Sequence, residues 1–252
     1  MYCLFEKSPL LLYSYVSRRF FMVKEKFGMV IAAGGSGSRF SKTVNKLLVE
    51  YKNKPLLIHS LENFLPAVYN NNLAVAAPED LLCEMKSIVD KYLPDNNIRW
   101  TTGGATRLAS VARAAALLDD DLDFIGIHDA ARPLADIELL EELISAAGEF
   151  GGAIPGSAPV DTVKEIDANG LVVKNLIRKQ LANVATPQVF NYAFYMEALH
   201  DLPADIQYGT AEDPMLTDDA ALFTLAGYQV KVVFSSKNNF KVTLPGDLVQ
   251  PA

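Results

Sequence analysis

A glycine-rich segment with two cations follows an early apolar run of the chain. Residues 30–40 read VIAAGGSGSRF, and Lys46 lies seven positions after Arg39. Backbone N–H groups of such a turn can surround phosphate oxygens, and two nearby cations would balance the charge of a polyphosphate. The residue types and their spacing therefore predict a polyphosphate site. A turn that carries solvated cations is the alternative for this segment taken by itself.

Two familiar phosphate-binding loops do not match the segment. The dinucleotide fingerprint requires a third glycine at the position of Phe40, three residues after Gly37. The P-loop requires a Gly-Lys pair, which the segment lacks. The sequence therefore disfavours both a dinucleotide site and a P-loop.

Two later segments carry further side chains that suit a charged ligand. The segment IHDAARP contains Asp129 and Arg132, and the segment GGATRLASV contains Arg107 and Ser110. Both segments follow apolar runs that predict strands. His128, next to Asp129, is interpreted as a packed residue at a strand end and not as a ligand.

Short apolar runs alternate with amphipathic segments after residue 28. The predicted strands are MVIAA (29–33), LAVAAP (73–78), IRWTTG (98–103), FIGIHDA (124–130) and GAIPGSAP (152–159). Helices are predicted over residues 78–93, with Pro78 as the first helical residue, and over residues 136–150. This alternation predicts a mainly parallel sheet with helices on both faces and ligands at the carboxyl ends of its strands.

A β-hairpin is predicted over residues 161–178. Two alternating segments flank Asn169-Gly170, the pair that most readily adopts the positive φ angles of a tight turn. An isolated hairpin is marginally stable, so it should pack either on another subunit or on its own domain. The spacing leaves both options open.

Composition bounds the class of protein. The chain has 252 residues, two cysteines, three histidines and a net charge of −7. This length supports a substantial core without disulfides, and the cysteines do not form a zinc motif. The acidic balance disfavours nucleic-acid binding, although a few focused cations suffice for one small anion.

The first 28 residues differ from the rest of the chain. Their apolar run, residues 10–16, is far shorter than the roughly 20 residues that span a bilayer, so no membrane partner is expected. The segment is interpreted as a dispensable extension, with a targeting segment as the alternative. A cytoplasmic location follows from the first interpretation and a plastid location from the second.

Six segments taken together resemble the 2-C-methyl-D-erythritol 4-phosphate cytidylyltransferases of the non-mevalonate isoprenoid pathway. They are AAGGSGSR, GGATRLASV, IHDAARP, ATPQVF, TDDAA and NNFKVTLPGDL, in the order of the family. Many sugar-nucleotide pyrophosphorylases share AAGGSGSR, so the resemblance rests on the six together. It implies a Rossmann-like α/β fold of the nucleotidyltransferase type over residues 29–252, with an inserted β-hairpin arm at about 160–184 that forms a homodimer.

The resemblance also implies an activity and a set of site residues. The enzyme would form 4-diphosphocytidyl-2-C-methyl-D-erythritol and pyrophosphate from CTP and 2-C-methyl-D-erythritol 4-phosphate, with Mg²⁺ or another divalent cation bound mainly through the CTP phosphates. The catalytic residues by this resemblance are Arg39, Lys46, Arg178 and Lys241. The nucleotide-binding residues are Ala33, Gly34, Gly35, Gly37, Gly103, Gly104, Arg107, Ser110, Asp129 and Ala130. The substrate-binding residues are Asp129, Arg132, Thr162, Arg178, Thr186, Thr217 and Lys241, of which Thr162 and Arg178 would reach the cleft of the partner subunit.

Three other functions remain open at this point. A ribitol-5-phosphate cytidylyltransferase would share the fold and the chemistry and differ in the acceptor. A pyrophosphorylase for another sugar 1-phosphate would differ in both substrates. A catalytically silent nucleotide-binding regulator is the alternative from another class, although the loss of Arg39, Lys46 or Lys241 that it predicts is not seen.

Overall fold

A mainly parallel sheet of eight strands forms the centre of the computed structural model, which describes residues 25–35, 40–41, 45–235 and 239–249. Its strands and those of two small sheets are β1 (Phe27–Ala32), β2 (Glu50–Tyr51), β3 (Lys54–Pro55), β4 (Leu73–Ala77), β5 (Arg99–Thr102), β6 (Phe124–Asp129), β7 (Gly152–Ser157), β8 (Lys164–Ile166), β9 (Val172–Asn175), β10 (Asn183–Val184), β11 (Gln188–Asn191) and β12 (Val230–Phe234). The α-helices in the described residues are α1 (Leu56–Phe64), α2 (Leu82–Tyr92), α3 (Arg107–Ala115), α4 (Ile137–Phe150), α5 (Tyr192–His200), α6 (Ala204–Gln207) and α7 (Asp219–Leu225).

The strand order places the predicted strands side by side. The order is β10-β7-β11-β6-β1-β4-β5, and β12 pairs with β7. Strand β1 is parallel to β4 and β6, and β4 is parallel to β5. Strand β11 runs antiparallel to β6 and β7. The five predicted strands and the mainly parallel sheet are confirmed, and the carboxyl ends of β1, β4, β5 and β6 lie at one edge.

Side chains of β1 alternate between two hydrophobic cores. Phe27, Met29 and Ile31 pack in one core with α1 and α4, while Val30 packs in the other with α3, α5 and α7. All four side chains are fully buried. Because helices cover both faces, the strand is apolar at consecutive positions.

The predicted helices are confirmed, with a different start for the first. A 3₁₀ turn over Glu79–Leu81 follows Pro78, and α2 itself begins only at Leu82. Helix α4 begins after Asp136, whose side chain accepts a hydrogen bond from the N–H of Leu139, 3.0 Å away. The helix is followed by Gly151 as its C-cap residue. The φ of Gly151 is 91°, a conformation that favours glycine and ends the helix.

The predicted hairpin is confirmed, and a tight turn closes it with a hydrogen bond of 3.0 Å from Gly170 N to the carbonyl of Asp167, but one predicted φ angle differs. Strands β8 and β9 pair antiparallel in a sheet of their own. Of the turn pair only Gly170 has a positive φ, 81°. The Asp167 carboxylate accepts hydrogen bonds from the N–H groups of Asn169 and Leu171, both at 2.9 Å, so this side chain stabilises the turn.

The core begins earlier than the predicted boundary at Met29. Phe27 is the first residue of β1 and is fully buried, and the carbonyl of Lys26 accepts a hydrogen bond from Asp123 N at 2.8 Å. A Cβ on Gly28 would lie 2.5 Å from a methyl carbon of Leu122, so this glycine allows the strand to pack closely. Within the described part of the chain, no helix has the length and apolar character needed to cross a bilayer.

Two truncations test where the folded domain begins. We expect a chain of residues 25–252 to keep the free energy of unfolding of the full chain. A chain of residues 29–252 should lose about 3 kcal/mol or more, because the buried Phe27 ring is gone. Urea unfolding measures both, and Phe27→Ala in the full chain is the matched control. Unfolding of the 25–252 chain would make residues 1–24 structural, and full stability of the 29–252 chain would contradict the role of Phe27.

Candidate active site

A cleft of about 360 Å³ opens at the edge where β1, β5 and β6 end. Three segments that follow these strands form its walls, and two lysines from elsewhere in the chain complete it. Nine of the predicted site residues line it: Ala33, Gly34, Gly35, Lys46, Gly104, Arg107, Ser110, Asp129 and Lys241. The topology therefore brings together residues that are far apart in the sequence.

The loops after β1 and β5 approach each other at their glycines. A Cβ on Gly34 would lie 3.1 Å from the Ser110 hydroxyl oxygen and 3.7 Å from Gly103 Cα. A Cβ on Gly104 would lie 2.5 Å from Ala109 Cβ. The Ser110 hydroxyl accepts a hydrogen bond from Gly104 N at 2.9 Å and donates one of 2.9 Å to the carbonyl of Thr106, the N-cap residue of α3. Ser110 therefore fixes the second loop, and small residues are required where the two loops meet.

Asp129, the last residue of β6, lies at the centre of a group of cations. Lys241 Nζ is 2.7 Å from Oδ2, Arg107 Nε is 3.3 Å from Oδ1, and Arg132 Nε is 3.7 Å from Oδ2. Burial raises the pKa of the Asp129 carboxyl, but the charges of Arg107, Lys241 and Arg132 outweigh burial and hold the pKa well below its usual range. Asp129 is therefore an anion at neutral pH.

Arg107 has a second carboxylate partner. Its Nη1 is 2.6 Å from Oδ2 of Asp219, which is fully buried in the first turn of α7. The hydroxyl of Tyr195 donates a hydrogen bond of 2.7 Å to the other oxygen of Asp219. The sequence interpretation selected Thr217 from TDDAA and included neither Asp219 nor Tyr195 among the site residues, so it missed this pair. Apolar residues follow Asp219 at helical spacing, and this pattern could have indicated that the carboxylate is buried. A buried carboxylate needs a partner.

His128 and Thr186 hold the backbone beside Asp129. Thr186 accepts a hydrogen bond from Asp129 N at 3.0 Å and donates one of 3.1 Å to His128 Nδ1. His128 Nε2 donates to the carbonyl of Arg132 at 3.0 Å. The ring is fully buried, and burial lowers its pKa from the usual 6.5 to about 4. The interpretation of His128 as a packed strand-end residue is confirmed.

The segment that carries Lys241 docks on the cleft through backbone contacts. Arg132 Nη1 donates a hydrogen bond of 2.7 Å to the carbonyl of Asn239, and Lys46 Nζ donates one of 2.9 Å to the carbonyl of Val242. Two predicted cations thereby hold the segment on each side of Lys241. Asn239 was absent from the predicted site residues.

The other predicted site residues lie away from the cleft lining. Thr217 is exposed in the segment that leads into α7, and Thr162 is exposed beside the hairpin. Arg178 is exposed at the other end of the hairpin, where its Nη1 donates a hydrogen bond of 3.0 Å to the carbonyl of Val160. Gly103, Ala130, Arg132 and Thr186 are not part of the lining, although Arg132 and Thr186 both contact Asp129, which is. Gly37 and Arg39 lie outside the described residues, and their roles stay predictions.

The side chains of the cleft indicate how a divalent metal ion could be held there. Among the residues that the structure describes, no three His, Cys, Asp or Glu side chains come together as a metal site. Asp129 is the carboxylate of the described lining, and its oxygens contact Lys241 and Arg107. These residues fit a divalent cation that nucleotide phosphates and water coordinate, and they do not form a ligand set of their own.

Comparison with known proteins decides the family. A sequence profile of the 2-C-methyl-D-erythritol 4-phosphate cytidylyltransferases, IspD, matches residues 27–251. The chain belongs to this family. The family member from Clostridium botulinum strain 657 is 30% identical over 224 residues, which are 89% of this chain and 95% of the relative. The member from Alkaliphilus metalliredigens is 34% identical over 231 residues, 90% and 92% of the two chains.

Solved structures agree with the fold. The 4-diphosphocytidyl-2C-methyl-D-erythritol synthase of Anaerococcus prevotii aligns with a TM-score of 0.73 at 27% identity, over 89% of this chain and 95% of its own. The 2-C-methyl-D-erythritol 4-phosphate cytidylyltransferase of Thermus thermophilus aligns with a TM-score of 0.66 at 28% identity, over 88% and 95%. The resemblance inferred from the six sequence segments and the expected Rossmann-like α/β fold are confirmed, whereas the homodimer formed through the hairpin stays a prediction.

The buried His128 predicts a specific pH dependence of stability. Because its pKa falls from 6.5 to about 4 on folding, the unfolded chain takes up a proton between these values and the folded chain does not. The free energy of unfolding therefore decreases as the pH falls through this window, by about 2 kcal/mol at about pH 5. Below about pH 4 both states are protonated, and this loss stops.

The variant His128→Gln isolates this contribution. Its amide can accept from Thr186 and donate to the carbonyl of Arg132, but it does not titrate. We expect urea unfolding of the variant to show a smaller decrease between about pH 7 and about pH 5 than the parent chain, by about 2 kcal/mol. Equal decreases in the two proteins would contradict the neutral, buried state of His128.

Proposed function

We propose that this chain transfers the cytidylyl group of CTP to the phosphate of 2-C-methyl-D-erythritol 4-phosphate. The products are 4-diphosphocytidyl-2-C-methyl-D-erythritol, an isoprenoid precursor, and pyrophosphate. The observation that carries the proposal is the cleft in which two glycine loops meet Lys46, Lys241 and Asp129, in a chain of this family.

The chemistry needs positioned charge and no general base. An oxygen of the acceptor phosphate attacks the α-phosphorus of CTP, and the bond between that phosphorus and the bridging oxygen to the β-phosphate breaks. The attacking oxygen is already an anion at neutral pH, so it needs no side chain to deprotonate it. Catalysis of such a transfer rests on alignment and on stabilising charge on the transferred phosphoryl group. The described lining, rich in cations and glycine N–H groups, fits this requirement.

The β1 side of the cleft suits the triphosphate. The backbone N–H of Ala33 already bonds the carbonyl of Ala76 at 2.9 Å, so the N–H groups of Gly34 and Gly35 suit the phosphates, and Lys46 adds a positive charge in the same cleft. We assign Lys46 to the charge that develops at the α-phosphate, and Arg39 to the same task by its place in the family motif. Mg²⁺ would enter with CTP and reduce the negative charge that pyrophosphate carries as it leaves.

The Asp129 side of the cleft suits the acceptor. Lys241 lines the cleft, and its ammonium group is fixed on Asp129 at 2.7 Å. We assign Lys241 and Arg132 to the acceptor phosphate and Asp129 to orienting both cations. Thr186 acts from behind by holding the N–H of Asp129, 3.0 Å away. Thr217 stays a predicted contact with the acceptor.

The hairpin suits contact with a second copy of the chain. Its apolar side chains are largely exposed, among them Ile166, Leu171 and Val173 at 58%, 65% and 57%. An exposed apolar patch of this kind marks an interaction surface. We propose a homodimer in which Thr162 and Arg178 reach the acceptor phosphate in the partner's cleft.

An acceptor assay tests the proposed function. With CTP and Mg²⁺, we expect release of pyrophosphate with 2-C-methyl-D-erythritol 4-phosphate and little with ribitol 5-phosphate or sugar 1-phosphates.

Lys46→Ala should lower kcat about 100-fold or more, because the lost charge acts in the transition state. Lys91→Ala, an exposed lysine of α2, is the matched control and should keep full activity. Pyrophosphate release with ribitol 5-phosphate alone would contradict 2-C-methyl-D-erythritol 4-phosphate as the acceptor. Normal turnover of Lys46→Ala would contradict the catalytic role of Lys46.

Mixed dimers test the contribution of the hairpin. Arg178→Ala should raise the KM for the acceptor, because a cation that binds its phosphate is lost. In a dimer of one Arg178→Ala and one Lys46→Ala subunit, one of the two clefts keeps both residues if Arg178 acts across the interface. At an acceptor concentration below the raised KM, where each single variant shows little turnover, we therefore expect mixing the two variants to restore activity. Absence of restored activity in verified mixed dimers would place Arg178 outside the partner's site.

A further inference from the structure

We propose that Asp219 is a positioning residue that orients Arg107 at the nucleotide-binding cleft. Arg107 lines the cleft, whereas Asp219 lies behind it in the core. The inference rests on the proposed function, since it assigns the orientation of one wall of that same site.

Asp219 is held from both sides in a fully buried position. One carboxylate oxygen accepts a hydrogen bond from Arg107 Nη1 at 2.6 Å, and the other accepts one from the Tyr195 hydroxyl at 2.7 Å. Gln188 fixes the backbone around it, because its amide accepts from Ala220 N at 3.0 Å and donates to Asp218 at 2.8 Å. A buried carboxylate is costly unless it is paired and hydrogen-bonded, and here both conditions are met. Asp219 is therefore a fixed point to which a cation can be attached.

The guanidinium of Arg107 depends on this fixed point. Its Nε is 3.3 Å from Asp129, and its Nη2 is buried without a hydrogen-bond partner among the described residues. Burial lowers the pKa of Arg107, but the charges of Asp219 and Asp129 outweigh it and raise the pKa, so the group stays charged. Because a guanidinium is planar, fixing Nη1 and Nε fixes the whole group.

Asp129 by itself would hold Arg107 weakly. Lys241 approaches Asp129 to 2.7 Å, and Arg132 lies within 3.7 Å, so the carboxylate is shared among three cations. The contact of Arg107 with Asp129 is also longer than its contact with Asp219, at 3.3 Å against 2.6 Å. Loss of the Asp219 charge would therefore release Arg107 from its shorter contact and leave the guanidinium free to turn.

Binding of CTP with Mg²⁺ to the full chain, measured by calorimetry, tests the proposal. We expect Asp219→Asn to raise the Kd at least tenfold, and Tyr195→Phe, which removes only the hydroxyl, to raise it severalfold. Tyr228→Phe is the matched control, because the hydroxyl of Tyr228 donates a hydrogen bond of 2.8 Å to Glu197 and this residue does not line the cleft. It should lower the thermal unfolding midpoint and keep the Kd within twofold of the parent chain. If Asp219→Asn does not fold, Tyr195→Phe decides the same question.

A double-mutant cycle separates positioning from a general structural role. In an Arg107→Met background, we expect Asp219→Asn to change the Kd for CTP by less than twofold, because the residue through which it acts is gone. It should also raise the unfolding midpoint of Arg107→Met, since that single variant leaves a buried carboxylate unpaired. Equal weakening of CTP binding by Asp219→Asn in both backgrounds, or no weakening in the parent, would overturn the proposal.

The same experiment keeps the two proposals distinguishable. CTP binding without transfer to 2-C-methyl-D-erythritol 4-phosphate would sink the proposed function and leave the positioning role in place. If the parent chain does not bind CTP, the nucleotide site itself fails, and the unfolding midpoints still report whether Asp219 and Arg107 are coupled. Additive losses of stability in the double variant would then contradict the coupling.

Discussion

A buried carboxylate at the end of the central strand imposes the arrangement of the candidate site. Asp129 is 9% exposed, and placing its charge there is costly unless cations and hydrogen bonds compensate it. The chain supplies this compensation from three separate segments, through Arg107, Arg132 and Lys241. Each of these cations is thereby fixed beside a cleft that suits phosphates. Charge compensation in the core and ligand binding at the edge of the sheet are consequences of one arrangement.

A second layer of contacts links this group of charges to both hydrophobic cores. Thr186 joins the backbone of Asp129 to the buried His128 ring, which packs edge-on against Phe64 at 4.8 Å between ring centroids. On the opposite side, Asp219 joins Arg107 to Tyr195. The ring of Tyr195 stacks on the buried ring of Phe190 in the core. The charged residues therefore have little freedom to move, and such preorganisation is what electrostatic catalysis requires.

Much of the fold and part of the site could be predicted from local sequence. Continuous apolar runs define strands buried on both faces, and glycines after β1 and β5 mark loops that approach each other. Local patterns do not show long-range pairing, however, so the contacts of Asp219 and Asn239 were missed. In the turn after β8 only Gly170 of the Asn-Gly pair has the expected positive φ, because the β-turn spans residues 167–170 and begins one residue before a two-residue turn at this pair would. The predicted start of the domain, Met29, lies two residues after the buried Phe27. The burial of Phe27 depends on partners from distant helices, which a local pattern does not show.

A crystal structure with CTP and Mg²⁺ bound is the most direct test of the central claim, that the Asp129 group of charges and the glycine loops together form one substrate cleft with the nucleotide on its β1 side. The account predicts a triphosphate against the backbone of residues 33–35 and Lys46, with Asp129 still paired to Lys241 and Arg107. A nucleotide bound outside this cleft, or an Asp129 that has left both cations to contact the ligand, would contradict it.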